Sequence, residues 1–196
     1  MKYRLAIFDF DGTLADSFPF FVQVINQLAE QHGFRKVDLA LVPTYRRYSA
    51  RQLMEQVGMP AWKLPFVVKS FTSLMRQNAA SISLFEDVDD LLRYLANRAV
   101  TLAIVSSNSY ENVSRILGPA NTKLISQFEC GVSIFGKPAR LQKVLKKAGI
   151  PCHEVIYIGD QVAFGAVSWG YGAIESLREH LPDEEFDSVH AIRRIA

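Results

Sequence analysis

Three acids, a lysine and a hydroxyl carry the chemistry this chain can do. Asp9 and Asp11 stand two apart in the run Asp9-Phe10-Asp11-Gly12-Thr13. Ser106-Ser107-Asn108 closes a second apolar run, Lys137 sits between Gly136 and Pro138, and Asp160 ends a further apolar run. Carboxylates gathered in one cleft repel unless a cation sits among them. An oxygen-only set without histidine favours a hard ion, so Mg²⁺ is expected. A lysine and a hydroxyl facing that ion suit a phosphate. The turn at Gly12-Thr13 lets backbone N–H groups approach a phosphate closely. Phosphoryl transfer needs this kind of positioning and charge neutralisation.

These residues meet only if the elements around them converge. Residues 3–9 read as a buried strand ending in a carboxylate, residues 99–106, 154–159 and 163–169 read alike, and 128–134 is a weaker candidate. Helical spacing lies between them. Phe21, Val24, Ile25 and Leu28 share a face that His32-Gly33 ends. Ser49-Ala50-Arg51-Gln52 is a capping-box pattern, and Pro138 opens a helix closed by Gly149 and Pro151. Strands alternate with helices at the start and over the second half, whereas residues 16–84 are helical only. The expected fold is therefore α/β: a doubly wound parallel sheet from residues 1–15 and 85–196. A small all-helical cap, residues 16–84, is inserted after the first strand. Parallel strands end at one edge, and ligands bind there in open α/β sheets. Asp9, Asp11, Ser106, Lys137 and Asp160 should converge on it.

Composition narrows the partners. Of 196 residues, 49% are apolar, enough for one core with a small accessory domain. Twenty-two basic against 20 acidic residues leave a net charge of +2, too weak to imply nucleic acid or a membrane surface. Cys130 and Cys152 form no disulfide framework and no ligand spacing, which fits a reducing cytoplasm. The apolar run after Lys2 and Arg4 is too short for a signal peptide, and no stretch approaches the ~20 apolar residues of a membrane span. The expected partner is a small-molecule phosphomonoester, and the expected assembly a monomer or homodimer.

With these motifs in hand, the chain resembles the haloacid dehalogenase superfamily, in its phosphatase branch with a helical cap. It is similar to phosphoglycolate phosphatases and β-phosphoglucomutases over nearly its whole length. Asp-Phe-Asp-Gly-Thr after an apolar strand is the specific signal. Ser106, Gly136-Lys137-Pro138 and Tyr157-Ile158-Gly159-Asp160 follow in the family's order. The resemblance implies that Asp9 is the nucleophile, forming an aspartyl-phosphate. It implies that Asp11 is the general acid and then the base. Ser106 and Lys137 would hold phosphate oxygens, and backbone N–H groups near Phe10, Asp11, Gly12 and Ser107 would complete the cradle, assisted by Asn108. Asp9, the Asp11 carbonyl and Asp160 would bind Mg²⁺. A phosphomutase on the same scaffold is the alternative.

One departure stands out. The family pattern places a second acid shortly after Asp160, followed by a helix, but here Gln161-Val162-Ala163-Phe164 follows. Two strand-like runs stand about three residues apart, whereas adjacent parallel strands usually need a crossover of a dozen or more. A segment on the order of a dozen residues is therefore expected to be missing between Gln161 and Ala163. A catalytically impaired member of the fold is the reading that this motivates.

Each motif also has a plainer reading. An aspartate at a strand end is most often a cap, and Ser106 alone could cap a helix. Ser109 fits that role better, since Val113, Ile116 and Leu117 follow it. Lys143, Lys146 and Lys147 read as a solvated helix face. Arg46 and Arg47, in the cap, read as surface arginines or as contacts to a substrate carboxylate or second phosphate. Trp169, Tyr171, Phe18, Phe20 and Phe21 read as packing.

Overall fold

Leu5-Ala6-Ile7-Phe8 is buried at every position, as a strand covered on both faces must be. This strand, β1 (Leu5–Phe8), lies at the centre of a sheet in a computed structural model that describes residues 2–46, 48, 50–131, 136–160 and 165–196. The other strands are β2 (Thr101–Val105), β3 (Ile125–Glu129), β4 (Val155–Gly159), β5 (Gly165–Val167) and β6 (Glu184–Phe186). Their order is β3-β2-β1-β4-β5-β6, and every neighbouring pair is parallel.

Side chains of β1 alternate between two cores, as the strand period dictates. Leu5 and Ile7 pack with Ala103, Val105, Tyr157 and Val144, the last from α7 (Lys137–Ala148). Ala6 and Phe8 join the larger cluster on the opposite face. That cluster holds Leu91, Leu92 and Leu95 of α5 (Val88–Asn97) and Val113 and Leu117 of α6 (Tyr110–Thr122). Helices thus cover both faces of a parallel sheet.

Between β1 and α5 the described elements are helical: α1 (Phe18–His32), α2 (Val42–Tyr45), α3 (Ala50–Gln56), α4 (Leu64–Gln77) and short 3₁₀ turns. Gly33 ends α1 in the left-handed region at φ 64°, where its N–H reaches the Ala29 carbonyl. Ile25, Val37 and Val57 form a separate small apolar cluster among these helices. Phe20, Val24, Leu28, Val67 and Met75 pack instead into the large core. Among the described residues, no helix is long and apolar enough to cross a membrane.

Three features differ from the sequence reading or are absent from it. The weak strand over 128–134 forms earlier, as β3, whose Ile125 pairs with Leu102 of β2. Gly131 then turns away at φ 69° and donates its N–H to the Asn108 carbonyl. Residues 132–134 lie outside the described residues, as do Ser49 of the capping-box pattern and Arg47. Strand β6 has no apolar run to announce it; Phe186 is its one buried position, as an edge strand permits.

The third feature is the short link after Asp160. β5 pairs parallel with β4 although only residues 160–164 separate them. The pairing is Ile158 with Gly165 and Gly159 with Ala166, so β5 overlaps only the last two residues of β4. So small an overlap requires the chain to return only a few ångströms, which five residues can span. A long crossover is needed where strands overlap along their full length. The join Gln161–Ala163 itself lies outside the described residues.

Candidate active site

Register brings the motifs to one edge. Phe8 is level with Ile104 of β2 and Ile158 of β4, so Asp9, Ser106 and Asp160 follow the ends of three adjacent strands. The Asp9 N–H donates to the Ile158 carbonyl at 2.9 Å, which holds Asp9 at the mouth of the sheet. Its Oδ1 accepts the Phe10 N–H at 2.8 Å. Its Oδ2 is paired with the Lys137 ammonium, delivered by the first residue of α7. The Tyr157 hydroxyl stands 3.5 Å from the same oxygen. Burial alone would lower the Lys137 pKa, but the Asp9 carboxylate outweighs it and holds the ammonium above its usual range.

After Asp9 the chain turns sharply. The N–H groups of Thr13, Leu14 and Ala15 all reach the Phe10 carbonyl, and Gly12 N–H donates to the Ala15 carbonyl at 2.9 Å. The Gly12 amide is therefore occupied within the turn, and glycine serves a different need there. Gly12 adopts φ +73°, and a Cβ on it would stand 2.3 Å from Asp160 Oδ2. The Thr13 hydroxyl is buried with no hydrogen-bond partner among the described residues.

Asp11 lies beside Asn108, whose Nδ2 stands 3.3 and 3.2 Å from its two carboxyl oxygens. Burial first, and then the Asp9 charge, push Asp11 up to about 6, against hydrogen bonds from Ser17 and Asn108. Ser106 is fully buried, and its Oγ accepts the Asn108 N–H at 3.0 Å. Ser107 is half-buried next to it. Ser109, not Ser106, caps α6: its Oγ accepts the Asn112 N–H at 3.2 Å.

Asp160 is 1% exposed. Burial first, and then Asp9, raise its pKa to about 7, while the Tyr171 N–H on Oδ2 pulls the other way. Tyr171 belongs to the loop after β5, which packs directly on the site. Its hydroxyl donates to Ser17 Oγ at 3.0 Å, and its ring meets Phe18 edge-on with centroids 5.0 Å apart. Trp169 Nε1 donates to the Thr13 carbonyl at 3.2 Å. Arg46 lies against this loop as well. Its guanidinium donates to the carbonyls of Trp169, Gly170 and Tyr171 and stacks over Phe18. It ties α2 to the loop rather than standing as a surface arginine.

All nine residues singled out from the sequence (Asp9, Phe10, Asp11, Gly12, Ser106, Ser107, Asn108, Lys137 and Asp160) stand at the carboxyl edge of the sheet or in the turns that leave it. Tyr157, Tyr171, Ser17 and Gly170 join them from outside that set. Tyr157 carries a signal: strand period places it on the Lys137 side, opposite Ile156 and Ile158. Nothing local marks Tyr171 or Gly170, which reach the site only through the sheet.

The donor set bears on a metal. Among the described residues, no group of three or more Asp, Glu, His or Cys side chains is close enough to hold one. Mg²⁺ keeps several waters and takes one or two carboxylates together with substrate phosphate, so it needs no third side chain. Two buried carboxylates, Asp9 and Asp160, with Lys137 as the cation beside them, make an oxygen-only set that fits a hard divalent ion.

Known proteins resemble this chain in sequence and in fold. A phosphoglycolate phosphatase of Synechococcus elongatus is 30% identical over 189 residues, covering 90% of this chain and 89% of that protein. The alignment is longer than the share of this chain it covers, so some positions have no counterpart here. A phosphoglycolate phosphatase of Haemophilus influenzae is 24% identical, covering 95% of each chain. A solved Lactobacillus plantarum structure shares the fold with a TM-score of 0.80 at 20% identity, both chains being covered in full. A haloacid dehalogenase-like protein of Streptococcus pneumoniae gives 0.77 at 16% identity, with 97% of each chain covered. The family model for haloacid dehalogenase-like hydrolases matches residues 6–166, from the strand carrying Asp9 through the one following Asp160. With the parallel sheet, the Asp-Phe-Asp-Gly-Thr turn and a relative at this identity in agreement, the chain belongs to the haloacid dehalogenase-like hydrolases.

Proposed function

We propose that this chain is a phosphatase that hydrolyses a small phosphomonoester through a phosphoryl group carried on Asp9. The reading rests on one relationship. Asp9 and Asp11 share a turn but stand in different environments: Asp9 is paired with the Lys137 ammonium, whereas Asp11 lies away from it beside Asn108 and is pushed up to about 6 by burial and by Asp9. Two carboxyls in such different surroundings can divide the roles of nucleophile and acid–base. An Asp9 oxygen attacks phosphorus, the bond to the ester oxygen breaks, and the Asp11 carboxyl proton passes to that oxygen. Asp11, now a carboxylate, takes a proton from water, whose oxygen displaces Asp9 from phosphorus and releases phosphate. Lys137 and Ser106 hold phosphate oxygens, with Phe10, Ser107 and Asn108 around them. Asp9, Asp160 and the Asp11 carbonyl would hold Mg²⁺, which neutralises phosphate charge when bound.

The helical segment 16–84 is read as a cap that excludes water and selects the substrate. Phosphoglycolate is the first substrate to test, because the curated relatives carry that name. A second reading, weakened turnover, is favoured by the Tyr171 loop seated on Asp160 and by the short link after it. Phosphate release from p-nitrophenyl phosphate and phosphoglycolate, with and without Mg²⁺, tests both against Asp9→Asn. Release by the wild type and none by Asp9→Asn is expected. Equal signals from the two sink the phosphatase reading. A bisphosphate requirement with sugar-phosphate turnover would move the chain to the phosphomutases.

A further inference from the structure

Asn112 is fully buried in the first turns of α6, and its side chain joins parts of the molecule that lie 40 residues apart in sequence. Its Nδ2 donates to the Thr72 carbonyl of α4 at 2.8 Å and to Asn108 Oδ1 at 2.9 Å. The Ser109 backbone N–H also donates to Asn108 Oδ1, at 2.9 Å. A backbone N–H can only donate, so the oxygen end of the Asn108 amide must face that side. Its Nδ2 is thereby turned towards Asp11, and it also meets Met75 Sδ of α4 at 3.2 Å. Asn112 faces two acceptors, so its own orientation is settled by the same rule. Its Oδ1 accepts nothing among the described residues. Leaving a buried acceptor unpaired costs free energy, so the side chain serves here as a pair of donors.

We propose that Asn112 is a positioning residue, coupling the docking of α4 to the orientation of Asn108 and through it to Asp11 as proton donor. Asn108 faces α4 through Met75, and Asn112 faces it through Thr72, so both lose a partner if α4 lifts from α6. Apolar residues of both helices share the large core, and the other polar α4–α6 ties among the described residues are exposed: Arg115 to the Arg76 carbonyl at 3.2 Å, and Arg76 to Glu111 at 4.0 Å. The buried amide pair is therefore the direct route from α4 to the Asp11 carboxyl. This inference rests on the assignment of Asp11 as general acid.

The test uses two esters with different need of a proton. An alkyl phosphate such as glycerol 2-phosphate expels an alkoxide and depends on the acid; p-nitrophenyl phosphate expels a stable phenolate and scarcely does. Asn112→Ala should lower kcat/KM about tenfold or more on the alkyl ester and less than about threefold on the aryl ester. Asn112→Leu keeps about the same volume, cannot donate, and should show the same split. It serves if the alanine variant unfolds, which thermal unfolding reports. Equal losses on both esters, or no loss on either, overturn the inference while the phosphatase reading stands. A wild type that hydrolyses neither of these esters nor phosphoglycolate overturns that reading and this inference with it. If it acts on phosphoglycolate alone, that alkyl ester replaces glycerol 2-phosphate; loss of its turnover in the variants with Mg²⁺ affinity unchanged is the expected result, and no loss the overturning one.

Discussion

The Tyr171 N–H donates to Asp160 Oδ2 at 2.7 Å, and Gly170 beside it lies so close that a Cβ there would stand 2.1 Å from Asp160 Cβ. The loop after β5 therefore sets the position of the carboxylate that ends β4. Gly170→Ala would force Asp160 aside or lift the loop, because the opposing atoms include the Gly12 carbonyl, 2.6 Å from that Cβ. A displaced ligand should weaken Mg²⁺ binding by about 10–100-fold. Isothermal titration of the variant with Mg²⁺ checks this, and unchanged affinity would count against Asp160 as a ligand.

Lys137→Met removes the cation that pairs with a buried Asp9. Breaking one side of a buried pair costs about 3–5 kcal/mol where both groups are well buried. Lys137 keeps some exposure, so the lower end or less is expected. Phosphatase activity should fall by about a hundredfold or more, since a positioned charge on the transferring group is lost. Thermal unfolding and initial rates measure the two effects separately.

Without metal, stability should fall as pH rises. Asp11 and Asp160 are both raised in the folded state, to about 6 and about 7, by burial and by Asp9. The folded chain then holds more protons than the unfolded chain between the ordinary carboxylate range and those values. Stability is present below that window and declines through it. Calorimetry in chelator should show the midpoint falling by several degrees between about pH 4 and about pH 7. Added Mg²⁺ should flatten the slope, since a bound ion favours the ionised carboxylates.

Arg46→Ala should loosen the loop that carries Tyr171. The side chain donates to three successive carbonyls and covers the Phe18 ring, while its own carbonyl accepts the Ala173 N–H at 2.9 Å. Losing the side-chain contacts should cost about 1–3 kcal/mol. Faster hydrogen exchange over the loop after β5, with the sheet unchanged, is the expected signature.

The two thiols should differ in reactivity. Burial first, and then Glu129 and Asp11, push Cys130 up to about 12, so almost none of it is thiolate at neutral pH. Cys152 is exposed. A thiol reagent should label Cys152 promptly and Cys130 only after unfolding, which peptide mass mapping resolves.

Much of this molecule is legible from short stretches of chain. β1, β2 and β4 are largely apolar runs because both their faces are covered; β1 is buried at every position, and β2 and β4 at all but the first. Because parallel strands share an edge, the polar residue closing each run points to the site from sequence alone. Asp9, Asp11, Ser106 and Asp160 are legible in that way, and Lys137 by its place between Gly136 and Pro138 at the start of a helix. The proton-donor role proposed for Asp11 is what the family resemblance of this turn implies; the spacing by itself does not assign it.

Tertiary structure decides what no local pattern encodes. β6 is too short and polar to announce itself, and β5 joins the sheet across a link that spacing alone argues against, because the two strands overlap by only two residues. Tyr171, Gly170 and Arg46 reach the site through contacts across more than a hundred residues of chain for Arg46 and about ten for the loop. Asn112 looks from the sequence like one more polar residue on a helix. The packing of α4 on α6 brings it the Thr72 carbonyl, while its other contact is Asn108 four residues back, whose Nδ2 faces Asp11. Residue types and their order determine the chemistry available to this chain; the directions of its buried hydrogen bonds depend on elements meeting in space.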